Sequence, residues 1–308
     1  MKRILTAVIL IPLVFAIIIF APRWLFIVAI GVVALISIFE FLNLSQKFST
    51  PPIAITVAIV ACVFTVLAIA ELDWPGAIEP TLLKLSILLV PLIFLAWPLS
   101  KSDFQKSLIG SSVSFMGLLY VCVPLVCLVK IKGIPLIGNF FLILLLIAVW
   151  SGDIAALYVG RLIGKHKLAP RVSPGKTWEG AVASLLFSIG IVCLITQVLG
   201  PRLSGTRPST YLGPNIWGTA IEFSAPPIWL PICFGLVVNC AAQLGDLTES
   251  MFKRAADVKD SGTLLPGHGG MLDRTDALLF AAPIGMLVFL ITESLFHAAP
   301  MIRIQITK

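Results

Sequence analysis

The sequence has little charge: Asp, Glu, Lys and Arg make up 12% of its 308 residues, whereas hydrophobic residues make up 58%. With a mean hydropathy of +1.04, this composition excludes a water-soluble domain, because such domains carry about 25% charged residues. The chain instead contains repeated apolar runs near the length of about 20 residues that crosses a bilayer as a helix. We therefore predict an all-α, polytopic integral membrane protein.

Cysteine and histidine are too sparse and too scattered for a zinc site. The six cysteines lie inside or beside apolar runs, none forms a CxxC pair, and the chain has three histidines. We therefore expect these cysteines to be small, buried hydrophobic side chains and not metal ligands. The sequence also lacks a basic stripe interleaved with exposed aromatics, which excludes nucleic acid as a partner. It lacks the internal repeat typical of inverted-repeat transporters.

The apolar runs predict about nine transmembrane helices. They cover residues 4–21, 25–44, 52–70, 80–97, 109–129, 137–160, 179–199, 228–251 and 277–296. The first run is expected to remain uncleaved, and its separation from the second depends on Pro22 and Arg23. We predict N-terminal transmembrane helices over 1–135, where Glu40 is a lone acid expected to reach the membrane interface. Residues 136–308 are the predicted catalytic transmembrane domain.

The distribution of Lys and Arg predicts the orientation. With the N-terminus inside, the inner segments hold 14 of the 22 basic residues and the outer segments hold 8. The two most basic connections, 161–178 and 252–276, then share the cytoplasmic face. We expect the bacterial plasma (inner) membrane, with the N-terminus and both connections in the cytoplasm.

Polar chemistry is concentrated in residues 243–276. Asp246, Glu249, Ser250 and Lys253 follow the i, i+3, i+4, i+7 spacing that places them on one helix face. An acid such as Asp246 near the end of an apolar run is costly unless it faces a cavity, a partner or a metal. Asp273 and Asp276 follow the loop at the start of the final helix. For Asp273 and Asp276 by themselves, capping of the final helix is an equally good interpretation.

Taken together, these acids indicate a magnesium–phosphate site. Asp246, Asp273 and Asp276 are the candidate Mg²⁺ ligands, because Mg²⁺ prefers carboxylates and substrate phosphates. The backbone N–H groups of Gly269 and Gly270 are candidate anion donors, and His268 is a candidate for phosphate contact or proton transfer. The basic residues that can neutralise phosphate are Lys253, Arg254, Lys259 and Arg274. A solvated loop is the alternative.

A second polar stretch runs from residue 150 to residue 180. Asp153 interrupts an apolar run, and whether it is catalytic or structural stays open. Ser173, Lys176 and Thr177 lie in an SPGKT sequence, which we predict to be a hydroxyl-rich turn that leads to Glu179. A positive-inside cluster would explain the basic residues of this stretch but not the SPGKT sequence. The Walker A spacing is absent.

These two stretches resemble the signature of the phosphatidate cytidylyltransferases, also called CDP-diacylglycerol synthases. Residues 250–276 read S-x-F-K-R-x4-K-D-x-G-x-x-L-P-x-H-G-G-M-x-D-R-T-D, and residues 153–180 contain GR, GK, L-x-P and SPGKT-x-EG. Together they cover roughly a fifth of the chain. The long segment 200–227 has no counterpart in this resemblance, and we expect it to be an outer loop.

The resemblance implies transfer of the cytidylyl group of CTP to phosphatidic acid, with release of pyrophosphate. It implies Mg²⁺ held by Asp246 and Asp273, with Asp276 and Asp260 as weaker candidates. Lys253 and His268 are the further catalytic candidates. Substrate contacts are implied for Ser173, Lys176, Thr177, Glu179, Arg254, Lys259, Arg274, Gly269 and Gly270. A homodimer and a monovalent cation such as K⁺ are also implied.

Two other functions are weighed against this one. A CTP-dependent lipid kinase of the polyprenol or phytol type would move the γ-phosphoryl group to an alcohol, but the HGG-x-x-DR-x-D match argues against it. An ion-coupled transporter could use Asp153, Asp246 and Glu249 as cation sites. Such a transporter does not need an inner loop rich in both charges and glycines.

Overall fold

A computed structural model of the chain describes residues 2–47, 49–71, 90–135, 137–199, 226–264 and 269–296. Most of these residues are helical, as predicted. The helices are α1 (Lys2–Phe20), α2 (Arg23–Ser45), α3 (Ile53–Glu71), α4 (Phe104–Lys132), α5 (Gly138–Ile163), α6 (Trp178–Cys193), α7 (Trp229–Ala255) and α8 (Leu272–Phe296). A π-helical stretch, Leu194–Leu199, continues α6, and a short apolar helix covers Val90–Ser100.

Six helices of the described chain are long and apolar enough to cross a membrane. They are Arg23–Ser45, Phe104–Lys132, Gly138–Ile163, Trp178–Val198, Trp229–Ala255 and Leu272–Glu293. This confirms a helical architecture with several candidate membrane spans. Shorter apolar helices, Leu10–Phe20, Ile53–Phe64 and Val90–Ser100, lie at three other predicted runs. Nine spans stay a prediction, and part of the predicted run 80–97 lies outside the described residues.

Proline marks the predicted break between the first two helices. Helix α1 ends at Phe20, and Pro22 precedes α2 with φ −61° and ψ 157°, an extended conformation. Proline suits this position because its φ is fixed and it has no N–H to leave unbonded. The final helix begins at Leu272, before the predicted residue 277, which places Asp273 in its first turn.

The predicted turn at the SPGKT sequence is wrong. Ser173–Thr177 forms strand β2, which pairs antiparallel with β1 (Lys167–Ala169) in a two-stranded hairpin. Proline inside a strand usually argues against the assignment because it cannot donate to the ladder. In a two-stranded sheet every strand is an edge strand, so Pro174 can keep its nitrogen on the outer side. The hairpin adds a small β element to the predicted all-α fold.

Contacts divide the chain into two compact units. The first comprises Met1–Leu142 and Asp246–Leu279, and the second comprises Ile143–Gly245 and Phe280–Lys308. In the first unit, α2 packs against both α3 and α4. Phe41 of α2 lies 5.9 Å from the Tyr120 ring and 5.2 Å from the Phe252 ring, between centroids. These contacts bring the end of α2 to the end of α7. The predicted division at residue 135 stays a prediction.

A buried polar group joins helices of the second unit. Asn239 Nδ2 donates to Ser184 Oγ at 2.9 Å, and Gln243 Nε2 donates to Asn239 Oδ1 at 2.7 Å. Gly152 faces this group, and a Cβ there would lie 2.8 Å from Ser184 Oγ. Small residues that allow close approach, together with interhelical hydrogen bonds, are the usual means of helix association in membranes.

Candidate active site

The end of α7 carries the predicted polar face. Asp246, Glu249, Ser250 and Lys253 all lie within this helix, so their spacing places them on one side as expected. The Glu249 side chain is fully buried and forms an ion pair with Lys253, one turn further along. Burial of a carboxylate is costly unless a partner compensates its charge or the group takes up a proton. Sequence reasoning assigned Glu249 a role only in the transporter alternative.

Lys253 connects the two helices of the site. Its Nζ lies 2.7 Å from Asp273 Oδ1, at the start of α8, while it also contacts Glu249 on α7. The Lys253 side chain is 12% exposed and that of Asp273 is 5% exposed. The ammonium therefore sits between two carboxylates of the protein. Its predicted contact with substrate phosphate stays a prediction.

The second oxygen of Asp273 organises the loop before α8. Asp273 Oδ2 accepts hydrogen bonds from Ser261 N at 2.9 Å, Ser261 Oγ at 3.0 Å and Gly270 N at 2.8 Å. Gly269 has φ +78°, and a Cβ at this position would lie 2.5 Å from Asp273 Oδ2. A side chain is therefore excluded by both space and conformation. Asp273 therefore combines a place in the first turn of α8 with a central place in the network.

The Gly270 N–H is already used within the protein. It was predicted to donate to a substrate anion, whereas it donates to the carboxylate of Asp273. The predicted anion-binding turn of residues 266–270 stays a prediction, because residues 266–268 lie outside the described residues. His268, the other predicted group of this turn, lies outside the described residues.

Glu40 belongs to this network, although the sequence did not single it out as a site residue. It is 7% exposed and is bonded to the signature segment, and its predicted place at the membrane interface stays a prediction. Glu40 Oε1 accepts from Met271 N at 3.0 Å, and Oε2 accepts from Leu272 N at 2.9 Å. Oε2 also accepts from Ser261 Oγ at 3.0 Å. The sequence does contain a signal for this role, because an acid inside an apolar run is a functional candidate by default.

Further acids lie close to this network. The carboxylates of Asp246, Glu249 and Asp276 all act electrostatically on Tyr120 of α4, which indicates that they share one neighbourhood. Within the described chain, no group of three or more His, Cys, Asp or Glu side chains is arranged to hold a metal ion. The predicted Mg²⁺ ligands Asp246, Asp273 and Asp276 therefore stay a prediction.

The other basic residues of the segment face solvent. Arg254, Lys259 and Arg274 are exposed, in contrast to Lys253. Arg254 Nη1 donates to the carbonyl oxygen of Val258 at 3.2 Å, which stabilises the end of α7. Asp260 is exposed as well. Exposed guanidinium and ammonium groups near a carboxylate network are suited to binding an anionic ligand.

In the second unit, the SPGKT residues organise the start of α6. Thr177 is buried, and its Oγ1 accepts from Gly180 N at 3.2 Å as the N-cap of this helix. Glu179 Oε1 lies 2.7 Å from His166 Nδ1, which ties the helix to the hairpin. Ser173 and Lys176 are half-buried, and Asp153 is exposed on α5. Two predicted substrate residues, Thr177 and Glu179, thus have partners within the protein.

Comparison with known proteins agrees with the resemblance. A profile described as the Cytidylyltransferase family matches residues 1–292. A phosphatidate cytidylyltransferase of Haemophilus influenzae is 33% identical over 296 residues, covering 92% of this chain and 96% of that one. Proteins of that name from Staphylococcus saprophyticus and Pseudomonas aeruginosa are 32% and 33% identical, covering 82% and 92% of this chain and 84% and 94% of theirs. This chain belongs to the cytidylyltransferase family.

Proposed function

We propose that this protein transfers the cytidylyl group of CTP to phosphatidic acid, forming CDP-diacylglycerol and pyrophosphate. The observation that carries the proposal is the network around Asp273. It joins α7, α8 and the loop between them through Lys253, Ser261 and Gly270. The relatives that match nearly the whole chain are named phosphatidate cytidylyltransferase. The kinase and transporter alternatives are not favoured.

The chemical step requires an anionic nucleophile to approach an anionic triphosphate. A phosphate oxygen of phosphatidic acid attacks the α-phosphorus of CTP, and the bond from that phosphorus to the β-phosphate oxygen breaks. The departing group is pyrophosphate. Positioning and charge neutralisation dominate such reactions.

We assign the neutralisation of phosphate charge to the exposed Arg254, Lys259 and Arg274, because Arg pairs with phosphate in a bidentate manner and Lys acts as a point charge. The proposed substrate contacts of the second unit are Ser173, Lys176, Thr177 and Glu179.

The carboxylates near this network are of the chemical type that a hard divalent cation prefers, although the described residues contain no preformed group of three metal ligands. Within the described residues, the buried Glu249 Oε1 accepts no hydrogen bond, and Asp246 and Asp276 lie in the same neighbourhood. Mg²⁺ bound here would neutralise triphosphate charge. Asp273 Oδ2 accepts three hydrogen bonds, whereas Oδ1 accepts one from Lys253, so Oδ1 is the oxygen with which Asp273 would coordinate the metal directly. We propose Asp246, Asp273 and Asp276 as ligands, with Glu249 beside them.

The membrane arrangement follows from the same proposal. CTP is a water-soluble substrate, whereas the acyl chains of phosphatidic acid remain in the bilayer. We propose nine spans in a bacterial inner membrane, with the basic connections 161–178 and 252–276 on the cytoplasmic face. The homodimer and the monovalent cation implied by the resemblance stay predictions.

The proposal is tested by turnover of purified protein in detergent with CTP, Mg²⁺ and phosphatidic acid. Wild type is expected to produce CDP-diacylglycerol and pyrophosphate in equal amounts. CDP together with a phosphorylated lipid would instead indicate a kinase. Absence of turnover with any phosphorylated lipid or lipid alcohol, in a folded sample, would favour transport.

Asp273→Asn is the variant that probes the network. In either orientation of the Asn amide, its NH₂ group faces a donor, either Lys253 Nζ or the N–H groups of Ser261 and Gly270. We expect kcat to fall by a factor on the order of 100 or more. The matched control is Asp257→Asn. Asp257 is exposed, and its φ of 54° is one that Asn also adopts readily. An equal fall of kcat in Asp273→Asn and Asp257→Asn would contradict the role proposed for Asp273.

A further inference from the structure

We infer that Glu40 is a positioning residue of this transferase. From α2 it holds the start of α8, and through Ser261 it orients the carboxylate of Asp273. The inference rests on the proposed function, since it concerns the same site. Its first support is burial: Glu40 is 7% exposed within a helix that is otherwise apolar enough to cross a membrane. An acid is costly there unless the surrounding groups satisfy it.

The groups that satisfy Glu40 are backbone donors at a helix start. The first N–H groups of a helix have no partner within that helix. At the start of α8, the N–H groups of Leu272 and of the preceding residue, Met271, donate to the Glu40 carboxylate, which lies more than 200 positions earlier in the chain. A local side chain could cap this helix equally well. The use of a distant acid fixes the start of α8 relative to α2.

Ser261 transmits this constraint to Asp273. Its Oγ lies 3.0 Å from Glu40 Oε2 and 3.0 Å from Asp273 Oδ2. A hydroxyl has one hydrogen to donate, so the two carboxylates compete for it. The Ser261 N–H donates to Asp273 as well, at 2.9 Å. A displacement of the Glu40 carboxylate therefore changes the hydrogen bonding of Asp273 through the hydroxyl of Ser261.

Two glycines leave room for the Glu40 carboxylate. A Cβ on Gly262 would lie 2.5 Å from Glu40 Oε1, and a Cβ on Gly270 would contact both Glu40 and Ser261. A side-chain end can usually move away from such a contact. Here it cannot do so cheaply, because hydrogen bonds from Ser261, Met271 and Leu272 hold it. The backbone of the loop before α8 therefore packs closely around the carboxylate of Glu40, which belongs to α2.

Glu40→Gln is the decisive variant, with Ser45→Ala as its control. The glutamine keeps the shape but must turn its NH₂ group toward a donor on one side. We expect kcat to fall by about 10- to 100-fold with the KM for CTP little changed, which is the pattern of a lost positioning contact. Ser45 is also buried on α2, but among the described residues its hydroxyl donates to Leu42 O of the same helix. Its replacement is expected to leave kcat near that of wild type.

Amide hydrogen exchange supplies a readout that does not depend on turnover. In Glu40→Gln, the peptide containing Met271 and Leu272 is expected to exchange faster than in wild type or in Ser45→Ala. A Glu40→Gln protein with wild-type kcat and exchange would overturn the inference. A wild-type protein that makes no CDP-diacylglycerol would overturn the proposed function instead, while faster exchange in the variant would still support the structural link.

Ser261→Ala keeps the test decisive if Glu40→Gln does not fold. It removes the bridging hydroxyl but retains the Ser261 N–H bond to Asp273. We expect a smaller loss of kcat in this variant than in Glu40→Gln. In a Glu40→Asp background, where the shorter acid has already broken the bridge, Ser261→Ala is expected to cause little further loss of kcat. Independent, additive effects of Glu40→Asp and Ser261→Ala on kcat would contradict transmission through the hydroxyl.

Discussion

Lys253 shows how a single side chain can hold the site together. Its ammonium lies between Glu249, which is fully buried, and Asp273, which is 5% exposed. Each carboxylate would be costly to bury alone, because the attraction of a partner must offset the loss of hydration. The position of Lys253 between two helices therefore couples the stability of the protein to the geometry of its proposed active site.

Replacement of Lys253 by Met tests this coupling. The change leaves two buried carboxylates without their cation, and we expect the free energy of unfolding to fall by about 3–5 kcal/mol. Thermal unfolding in detergent measures the effect. A second change, Glu249→Gln, is expected to restore part of the stability because it removes one of the uncompensated charges.

The matched control is Lys106→Met. Lys106 pairs with Asp103 at 3.8 Å, but the two side chains are 67% and 53% exposed, so the pair is worth about 0–1 kcal/mol. Equal unfolding temperatures for the two Met variants would show that Lys253 does not compensate buried charge.

At the scale of elements, close helix and hairpin contacts depend on particular glycines. A Cβ on Gly164 would contact the Gly160 carbonyl oxygen and would lie 2.7 Å from Thr177 Oγ1. Thr177 in turn caps α6. At Gly175, within β2, an added Cβ would meet nothing within 4 Å. Two glycines of the same basic stretch therefore have opposite tolerance for a side chain.

Gly164→Ala and Gly175→Ala form a matched pair of variants. We expect the first to lower the free energy of unfolding by about 1–3 kcal/mol, because the methyl group must displace backbone or the capping threonine. The second is expected to be close to neutral. Unfolding temperatures of the two purified variants in the same detergent measure the difference. A larger loss in Gly175→Ala would contradict the packing described for the hairpin.

The sequence predicted the elements better than it predicted their contacts. Helices were recognisable because apolar length is a local property, and Pro22 marked a boundary through its own backbone chemistry. The strand Ser173–Thr177 was read as a turn because Pro and Gly dominate it, while its pairing with Lys167–Ala169 is not visible locally. The contacts of Glu40 are not visible locally for the same reason, since its partners lie more than 200 residues away.

At the scale of the molecule, the asymmetry of basic residues predicts which face carries the chemistry. The count of Lys and Arg predicts that 161–178 and 252–276 lie on the cytoplasmic side, where CTP would be available. Single cysteines test this in a background from which the six native cysteines have been removed. Cysteine at Arg171 or Lys259 is expected to react with a membrane-impermeant maleimide only after cell disruption. Cysteine at Lys130 is expected to react in intact cells, and the reverse pattern would contradict the orientation.

Membership of the cytidylyltransferase family, the apolar helices and the Asp273 network together define one central claim. The protein breaks CTP between its α- and β-phosphates and retains the α-phosphate in the lipid product. A lipid kinase with similar architecture would break the bond to the γ-phosphate instead. The two reactions differ in which phosphorus atom reaches the lipid, whatever the efficiency of the purified protein.

The most direct measurement is therefore turnover of the purified wild-type protein with CTP labelled separately at the α- and γ-phosphorus. The account predicts that α-label appears in a lipid-soluble product with phosphatidic acid as the acceptor, while γ-label is released as pyrophosphate. Asp273→Asn is expected to lose both signals, and Asp257→Asn to keep them. Transfer of γ-label to lipid, with α-label left in CDP, would contradict the account.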